Sequence, residues 1–137
     1  MFKGLFSLFV ILVAFLSILS VGAVGNAEGI KLVIDDVEYS VELADNPTSQ
    51  EFVNLLPHEY DMTELNKNEK YVDLNTSLTS NPSKVGQISK GDLMLYNDNT
   101  IVLFYESFNT TYEYTRIGHV NNLEDINSSD IHVKFVK

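Results

Sequence analysis

Arg116 is the residue whose type and setting point most directly to ligand chemistry. It is the only arginine of the chain and lies in the aromatic segment TYEYTRIGH. A guanidinium donates hydrogen bonds in pairs and stacks on rings, so it suits a carboxylate, a phosphate or a peptide carbonyl. In a β-strand, Tyr112, Tyr114 and Arg116 would share one face. The alternative role of Arg116 is a structural ion pair with Glu106 or Glu113.

Aromatic residues next to this segment extend the candidate site. Phe104, Tyr105 and Phe108 precede Tyr112 across a predicted turn. Small-molecule pockets are usually lined by such rings together with a few polar groups. Phe104 is better interpreted as core, whereas residues beside a polar loop can line a pocket mouth. The predicted ligand-binding residues are Arg116, Tyr114, Tyr112, Phe108 and Tyr105.

Other site chemistries find little support in the sequence. The chain contains no cysteine, and its three histidines, His58, His119 and His132, lack the spacing of metal ligands, so we predict no metal site and no cofactor. The polar run at 97–99 lacks the glycine and terminal glutamate of a calcium loop and is interpreted as a turn. Because no nucleophile elbow, phosphate loop or dinucleotide glycine pattern is present, we predict no catalytic residue.

The first 27 residues have the layout of an export segment. Lys3 precedes an apolar stretch at 5–24, and small residues then lead to Glu28. This order is typical of a cleaved signal peptide, which we favour, but about 20 apolar residues can also remain as a membrane anchor. Both alternatives place the remainder outside the cytoplasm, secreted or held at the outer face of the cytoplasmic membrane. Contact with the membrane is expected only through 5–24, if uncleaved.

Residues 28–137 are expected to form one acidic domain. Without Lys3, 8 basic and 19 acidic residues remain, a net charge of −11. This charge repels nucleic acid and anionic lipid, so we predict that neither is a partner of the domain. With no cysteine there is no disulfide framework, so the hydrophobic core alone must stabilise the domain.

Hydrophobic periodicity predicts a mainly β domain. Alternating apolar residues on both sides of Asp35 and Asp36 predict a β-hairpin over 30–43. A helical turn is expected at 121–126, and a long polar loop at 75–90. Further strands are predicted at 60–65, 71–74, 93–96, 101–105, 112–120 and 131–136, with 101–105 covered on both faces. About eight short strands with one or two short helices indicate a closed, mostly antiparallel barrel, because closure removes exposed strand edges.

One short helix is predicted over 47–56. Asn46 can cap it with Pro47 as its first residue, because proline has no amide hydrogen to leave unpaired there. Thr48 and Glu51 form a competing capping box one register later.

Several segments resemble a known family when taken together and in order. They are DNPTSQEFVNLLP (45–57), DMTELNKNEKY (61–71), KGDLMLYNDNTIVLFYESF (90–108) and TYEYTRIGHV (111–120). They resemble the bacterial and archaeal cyclophilin-like domain family of unknown function, and the resemblance extends over about 30–136. It implies a cyclophilin-like β-barrel and implies no substrate.

The residues of true cyclophilins do not carry over to this chain. Those enzymes isomerise prolyl bonds with an arginine, flanking aromatics and a glutamine, in Phe-His-Arg and Gln-Gly-Gly-Asp runs that are absent here. Gln87 and Arg116 are the nearest counterparts, but their spacing and context differ. Our leading hypothesis is therefore a non-enzymatic module that binds a small molecule or peptide segment. The alternative is an extracytoplasmic peptidyl-prolyl cis-trans isomerase-like enzyme, by fold analogy alone.

Expression of the full-length chain with its own amino terminus tests the export prediction. We expect a product that begins at Glu28, because the small residues before it suit a signal peptidase. Intact mass and amino-terminal sequencing of each cell fraction measure this. A full-length product in the membrane fraction would establish the anchor instead, and a full-length product in the cytosol would contradict both.

Overall fold

The computed structural model describes residues 29–137, so the predicted signal or anchor lies outside the described residues. Within that range the chain forms eleven strands and one helix. In chain order these are β1 (Ile30–Ile34), β2 (Val37–Leu43), α1 (Pro47–Asn54), β3 (His58–Leu65), β4 (Glu69–Asp73), β5 (Ser83–Lys84), β6 (Gln87–Ile88), β7 (Asp92–Tyr96), β8 (Thr100–Phe104), β9 (Phe108–Asn109), β10 (Glu113–Val120) and β11 (Ile131–Val136). No helix of residues 29–137 has the length and apolarity needed to cross a membrane.

Eight of these strands close into an antiparallel barrel. Their order is β2-β1-β11-β3-β4-β8-β7-β10, and β10 pairs back with β2. Strand β5 adds to β10, while β6 and β9 form a separate two-stranded sheet. The mainly β, closed-barrel fold predicted from the sequence is confirmed.

Strand β8 is covered on both of its faces, as predicted. Ile101 and Leu103 belong to the main core inside the barrel, whereas Val102 and Phe104 belong to a second cluster outside it. All four side chains are almost completely buried. Successive side chains of a strand point to opposite faces, so five apolar residues in a row require cover on each side of the sheet.

Tight turns set the register of the first two hairpins. Asp35 and Asp36 between β1 and β2, and Asn66 and Lys67 between β3 and β4, all have positive φ values. The turn between β1 and β2 has two residues, and this backbone matches the twist of the flanking strands. The turn between β3 and β4 has three residues, from Asn66 to Asn68. Asp and Asn tolerate positive φ values better than most residues. The predicted hairpin over 30–43 is confirmed.

Asn46 caps α1, which resolves the two alternatives. Its side-chain oxygen accepts a hydrogen bond from the Ser49 amide at 2.8 Å, and Pro47 occupies the first helical position. Thr48 does not act as a cap, because its hydroxyl donates to the Thr79 carbonyl at 2.5 Å. The helix ends at Asn54, two residues before the predicted end.

The predicted helical turn at 121–126 is wrong. Asn122 has a φ of 55°, which interrupts a right-handed helix, and the residues after it follow an irregular path. Leu123 is buried in the barrel core, and Ile126 packs against that core. Tertiary burial of these two side chains therefore accompanies an irregular backbone rather than a helix.

Lys70 joins this irregular segment to one end of the barrel. Its side chain is completely buried, and its ammonium donates to Glu64 Oε1 at 2.8 Å, to the Asn127 carbonyl at 2.6 Å and to the Ser129 carbonyl at 2.5 Å. The same ammonium lies 4.5 Å from the centre of the Tyr105 ring. A buried charge is tolerated only when it is paired and hydrogen-bonded, and Lys70 meets both conditions.

We expect Lys70→Met to lower the free energy of unfolding by about 3–5 kcal/mol, the usual effect of removing one partner of a buried ion pair. Glu64 would lose its only ion-pair partner among the described residues and the two carbonyls would lose the ammonium donor, while methionine keeps most of the apolar stem. Urea denaturation measures the change. Lys84→Met, at an exposed lysine of β5, is the control and should change stability by less than about 0.5 kcal/mol. Equal effects of the two substitutions would contradict this role of Lys70.

Candidate functional site

The outer face of β4, β8, β7 and β10 carries apolar side chains. Strand register places Met94 opposite Val102, and Val102 opposite Tyr71, on this face. A second hydrophobic cluster forms there, with the buried members Ile88, Met94, Val102, Phe104 and Tyr114. Val85, Phe108 and Tyr71 pack against it and cover part of it. The cover is incomplete, and a pocket remains open on this face.

This pocket, which we call the tyrosine pocket, has a volume of about 370 Å³. Its lining residues are Leu65, Asn66, Glu69, Tyr71, Asp73, Tyr96, Thr100, Val102, Tyr112 and Tyr114. The volume lies within the range of about 300–1,000 Å³ that is usual for small-ligand pockets. Six of the ten lining residues are aromatic or aliphatic, and such a lining with a smaller number of polar groups is also typical of these sites.

Three tyrosines form one wall of the tyrosine pocket. The ring centre of Tyr96 lies 6.4 Å from that of Tyr112 and 5.8 Å from that of Tyr114. The ring pairs are tilted by 55° and 53°. Tyr114 is buried, whereas 40% of Tyr96 and 64% of Tyr112 are exposed. The wall therefore runs from a fixed inner ring to two outer rings with surface available for contact.

Two carboxylates face the rings from β4. Glu69 is half-buried, and burial followed by the nearby Glu64 charge raises the pKa of its carboxyl group. Asp73 accepts a hydrogen bond from the Thr100 hydroxyl at 2.7 Å. Burial, and next the Glu69 charge, raise the pKa of Tyr114 to about 12, so its phenol remains protonated at neutral pH.

The structure brings three of the five predicted binding residues to this region. Tyr112 and Tyr114 line the tyrosine pocket, and Phe108 packs against the second cluster on the same sheet face, with its ring centre 5.6 Å from that of Phe104. Arg116 is exposed and pairs with Met94, which places it on the same sheet face but outside the pocket lining. Among the described residues Arg116 forms no ion pair, with a glutamate or otherwise.

Tyr105 lies apart from the other four. It directly follows Phe104, so its side chain points to the opposite face of the sheet and enters the barrel core. Its hydroxyl donates to Glu64 Oε1 at 2.6 Å, beside the Lys70 ammonium. Burial, then the bond to Glu64, raises the pKa of Tyr105. In this position its contacts stabilise the end of the barrel.

Sequence reasoning missed the residues that β4 contributes to the pocket. Glu69, Tyr71 and Asp73 alternate along this strand and therefore share its outer face. The alternation is visible in the sequence EKYVD, but its neighbour in the sheet is β8, about 30 residues later in the chain. Tyr96 was likewise assigned to a strand without a place in the site. Only the pairing of distant strands joins these residues.

Two of the three histidines contact carboxylates away from the tyrosine pocket. His119 Nδ1 lies 2.9 Å from Asp92, and His132 contacts both Asp61 and Glu59 at 2.7 Å. The hydrogen bond to Asp61 and, to a smaller extent, the hydrogen bond to Glu59 raise the pKa of His132. Within residues 29–137, no three acidic, histidine or cysteine side chains converge on a point suited to a metal ion.

Comparison with known proteins identifies the fold. Residues 32–136 match the model of a cyclophilin-like family. The structure is similar to the solution structure of a hypothetical protein from Archaeoglobus fulgidus, with a TM-score of 0.50 and 16% sequence identity, over 80% of this chain and 95% of that one. At this identity the likeness concerns the fold alone. No curated protein sequence is significantly similar to this chain.

Phe104→Ala and Tyr112→Ala separate the buried second cluster, which contains Phe104, from the rim of the tyrosine pocket, which contains Tyr112. We expect Phe104→Ala to lower the free energy of unfolding by about 3–5 kcal/mol, because its fully buried ring leaves a cavity. Tyr112→Ala should cost less than about 1 kcal/mol, because its ring is largely exposed. Chemical denaturation of both variants checks this. A large loss in Tyr112→Ala would mean that its ring supports the fold, which would contradict its assignment to the rim.

Proposed function

This chain belongs to the cyclophilin-like family, and from that premise we propose that it is a non-enzymatic module whose tyrosine pocket binds a small molecule or a peptide segment. The family assignment supports the barrel fold but indicates no substrate. The proposal therefore depends on the geometry of the tyrosine pocket. The observation that carries it is the exposure of Tyr96 and Tyr112 in a pocket whose floor is formed by the buried side chains of Val102 and Tyr114.

The exposed rings are not needed to complete the barrel. Phe104 and Tyr114 already close the second cluster, with ring centres 5.4 Å apart in an edge-to-face contact. The outer face of Tyr112 is left in water, where a large apolar side chain gains nothing from burial. A ligand that covers Tyr96 and Tyr112 would bury this surface without any rearrangement of the floor.

Arg116 provides a contact for a longer ligand. It lies two residues beyond Tyr114 on the same face of β10, about 7 Å further along the strand at the usual rise per residue. A small molecule that fills the tyrosine pocket would not reach it. A peptide segment that runs along β10 would, and its carbonyl or carboxylate oxygens could accept hydrogen bonds from the guanidinium.

The proposed module acts outside the cytoplasm. This part of the proposal is supported by residues 1–27, whose basic start, apolar stretch and small residues follow the order of an export signal. The acidity of the remaining chain suits a domain that stays soluble and away from anionic lipid.

Isomerase activity is the weaker alternative. Among the residues that line the tyrosine pocket there is neither an arginine nor a glutamine. Arg116 lies beyond the pocket, and Gln87 lies in β6 with an exposed side chain. The arginine, aromatic and glutamine set of true cyclophilins therefore has no counterpart around this pocket, and we retain the binding module.

A thermal-shift screen of small molecules and short peptides against the full-length chain tests the proposal. We expect Tyr112→Ala to weaken every pocket ligand about tenfold, a difference of about 1.4 kcal/mol, because each loses one ring contact. Arg116→Ala should weaken only ligands long enough to pass Tyr114.

Val37→Ala, which truncates an exposed apolar side chain of β2, is the matched control and should leave all affinities unchanged. Ligands that bind wild type and Tyr112→Ala equally would place the site elsewhere. A screen without any ligand that depends on Tyr112 would overturn the proposed function.

A further inference from the structure

We propose that the tyrosine pocket recognises an organic cation, either a quaternary ammonium group or a protonated amine with small alkyl substituents. The inference rests on the proposed function and names the ligand class of the same site. Its basis is the lining itself, which combines the four tyrosines Tyr71, Tyr96, Tyr112 and Tyr114 with the carboxylates of Glu69 and Asp73. No lysine, arginine or histidine lines this pocket.

The aromatic part of the lining suits a cation. An aromatic face is electron-rich and attracts a cation within about 6 Å of its centre. The ring planes of Tyr96 and Tyr112 are tilted by 55°, and their centres lie 6.4 Å apart. The two rings therefore do not stack face to face, and their aromatic faces stay available for a ligand. Tyr114 adds a third ring 5.8 Å from Tyr96. Because burial raises the pKa of Tyr114 to about 12, that ring remains an uncharged phenol.

The carboxylates that line the pocket have no cationic partner among the described residues. Among the described residues the Glu69 carboxylate forms no ion pair, although it is half-buried. The neighbouring charge is Glu64, another carboxylate, whose own partner is Lys70 on the inner face. Asp73 is hydrogen-bonded only to a neutral hydroxyl. A bound cation would offset both charges and would recover part of what burial of Glu69 costs.

The surroundings of the pocket also disfavour an anion. Tyr96 and Tyr112 separate the tyrosine pocket from a second depression, which contains Asp98 and Glu113. The exposed rings therefore have carboxylates of the tyrosine pocket on one side and carboxylates of the second depression on the other. Lys84, opposite Glu113 on β5, and Arg116 flank this surface, and neither lines the two pockets. An anionic ligand would meet carboxylates at close range, whereas a cation is attracted by the rings and by the charges.

Choline and its neutral carbon isostere, 3,3-dimethylbutan-1-ol, isolate the contribution of the charge. They have nearly the same shape and differ in the positive nitrogen. We expect choline to bind the full-length chain about fivefold to tenfold more tightly than the isostere. Isothermal titration calorimetry measures both dissociation constants.

Two variants test the parts of the lining. Tyr112→Ala removes one ring and Glu69→Gln removes one charge at constant size, and each should weaken choline binding about threefold to tenfold. Glu124→Gln makes the same change of net charge at an exposed position outside both depressions and should leave the affinity unchanged. Thermal midpoints close to that of wild type would show that the variants are folded.

The outcomes separate this inference from the proposed function. Equal binding of choline and its isostere, or full choline affinity in Glu69→Gln, would overturn the cation inference while the pocket remained a binding site. The same holds if neither compound binds but the screen finds neutral or anionic ligands that depend on Tyr112. Failure of both compounds and of the whole screen would overturn both proposals.

Discussion

Closure of the barrel between β2 and β10 is the constraint on which the rest of the structure depends. Gly118 pairs with Leu43 at this junction, and a Cβ atom on Gly118 would lie 2.3 Å from the Glu42 carbonyl oxygen. Only glycine allows the two backbones to approach so closely. The register of β10 against β7 shifts between Arg116 and Gly118, and this irregularity lets β10 pair with β7 and β2 together.

Closure also creates the candidate site. Once Ile101 and Leu103 point into the barrel, Val102 and Phe104 of the same strand must point out. The short strands β6 and β9 and the loops beside them cover part of that apolar exterior, and the uncovered part is the tyrosine pocket. The pocket thus has a floor that the fold requires and a rim that it does not.

Local patterns predicted the local structure well. Alternation and turn chemistry located the strands on both sides of Asp35 and Asp36, and Asn46 marked the start of the helix, because these signals depend on neighbours in the chain. The segment at 121–126 was mispredicted, because burial of Leu123 overrides local preference there. Of the residues that line the candidate pocket, Tyr112 and Tyr114 were predicted from their aromatic context. Glu69 and Asp73 were not, because they reach these rings only through the pairing of β4 with β8, of β8 with β7 and of β7 with β10.

Lys70 has the role that a structural cation has in many small domains without disulfides. Its ammonium collects one carboxylate and two main-chain carbonyls from segments that are about 60 residues apart in the chain. A metal ion in such a position must be captured from the medium, and a chelator can remove it. The ammonium is covalently attached to β4. The contacts that stabilise this end of the barrel therefore form without a metal ion from the solution, and they do not depend on the concentration of metal ions around the protein.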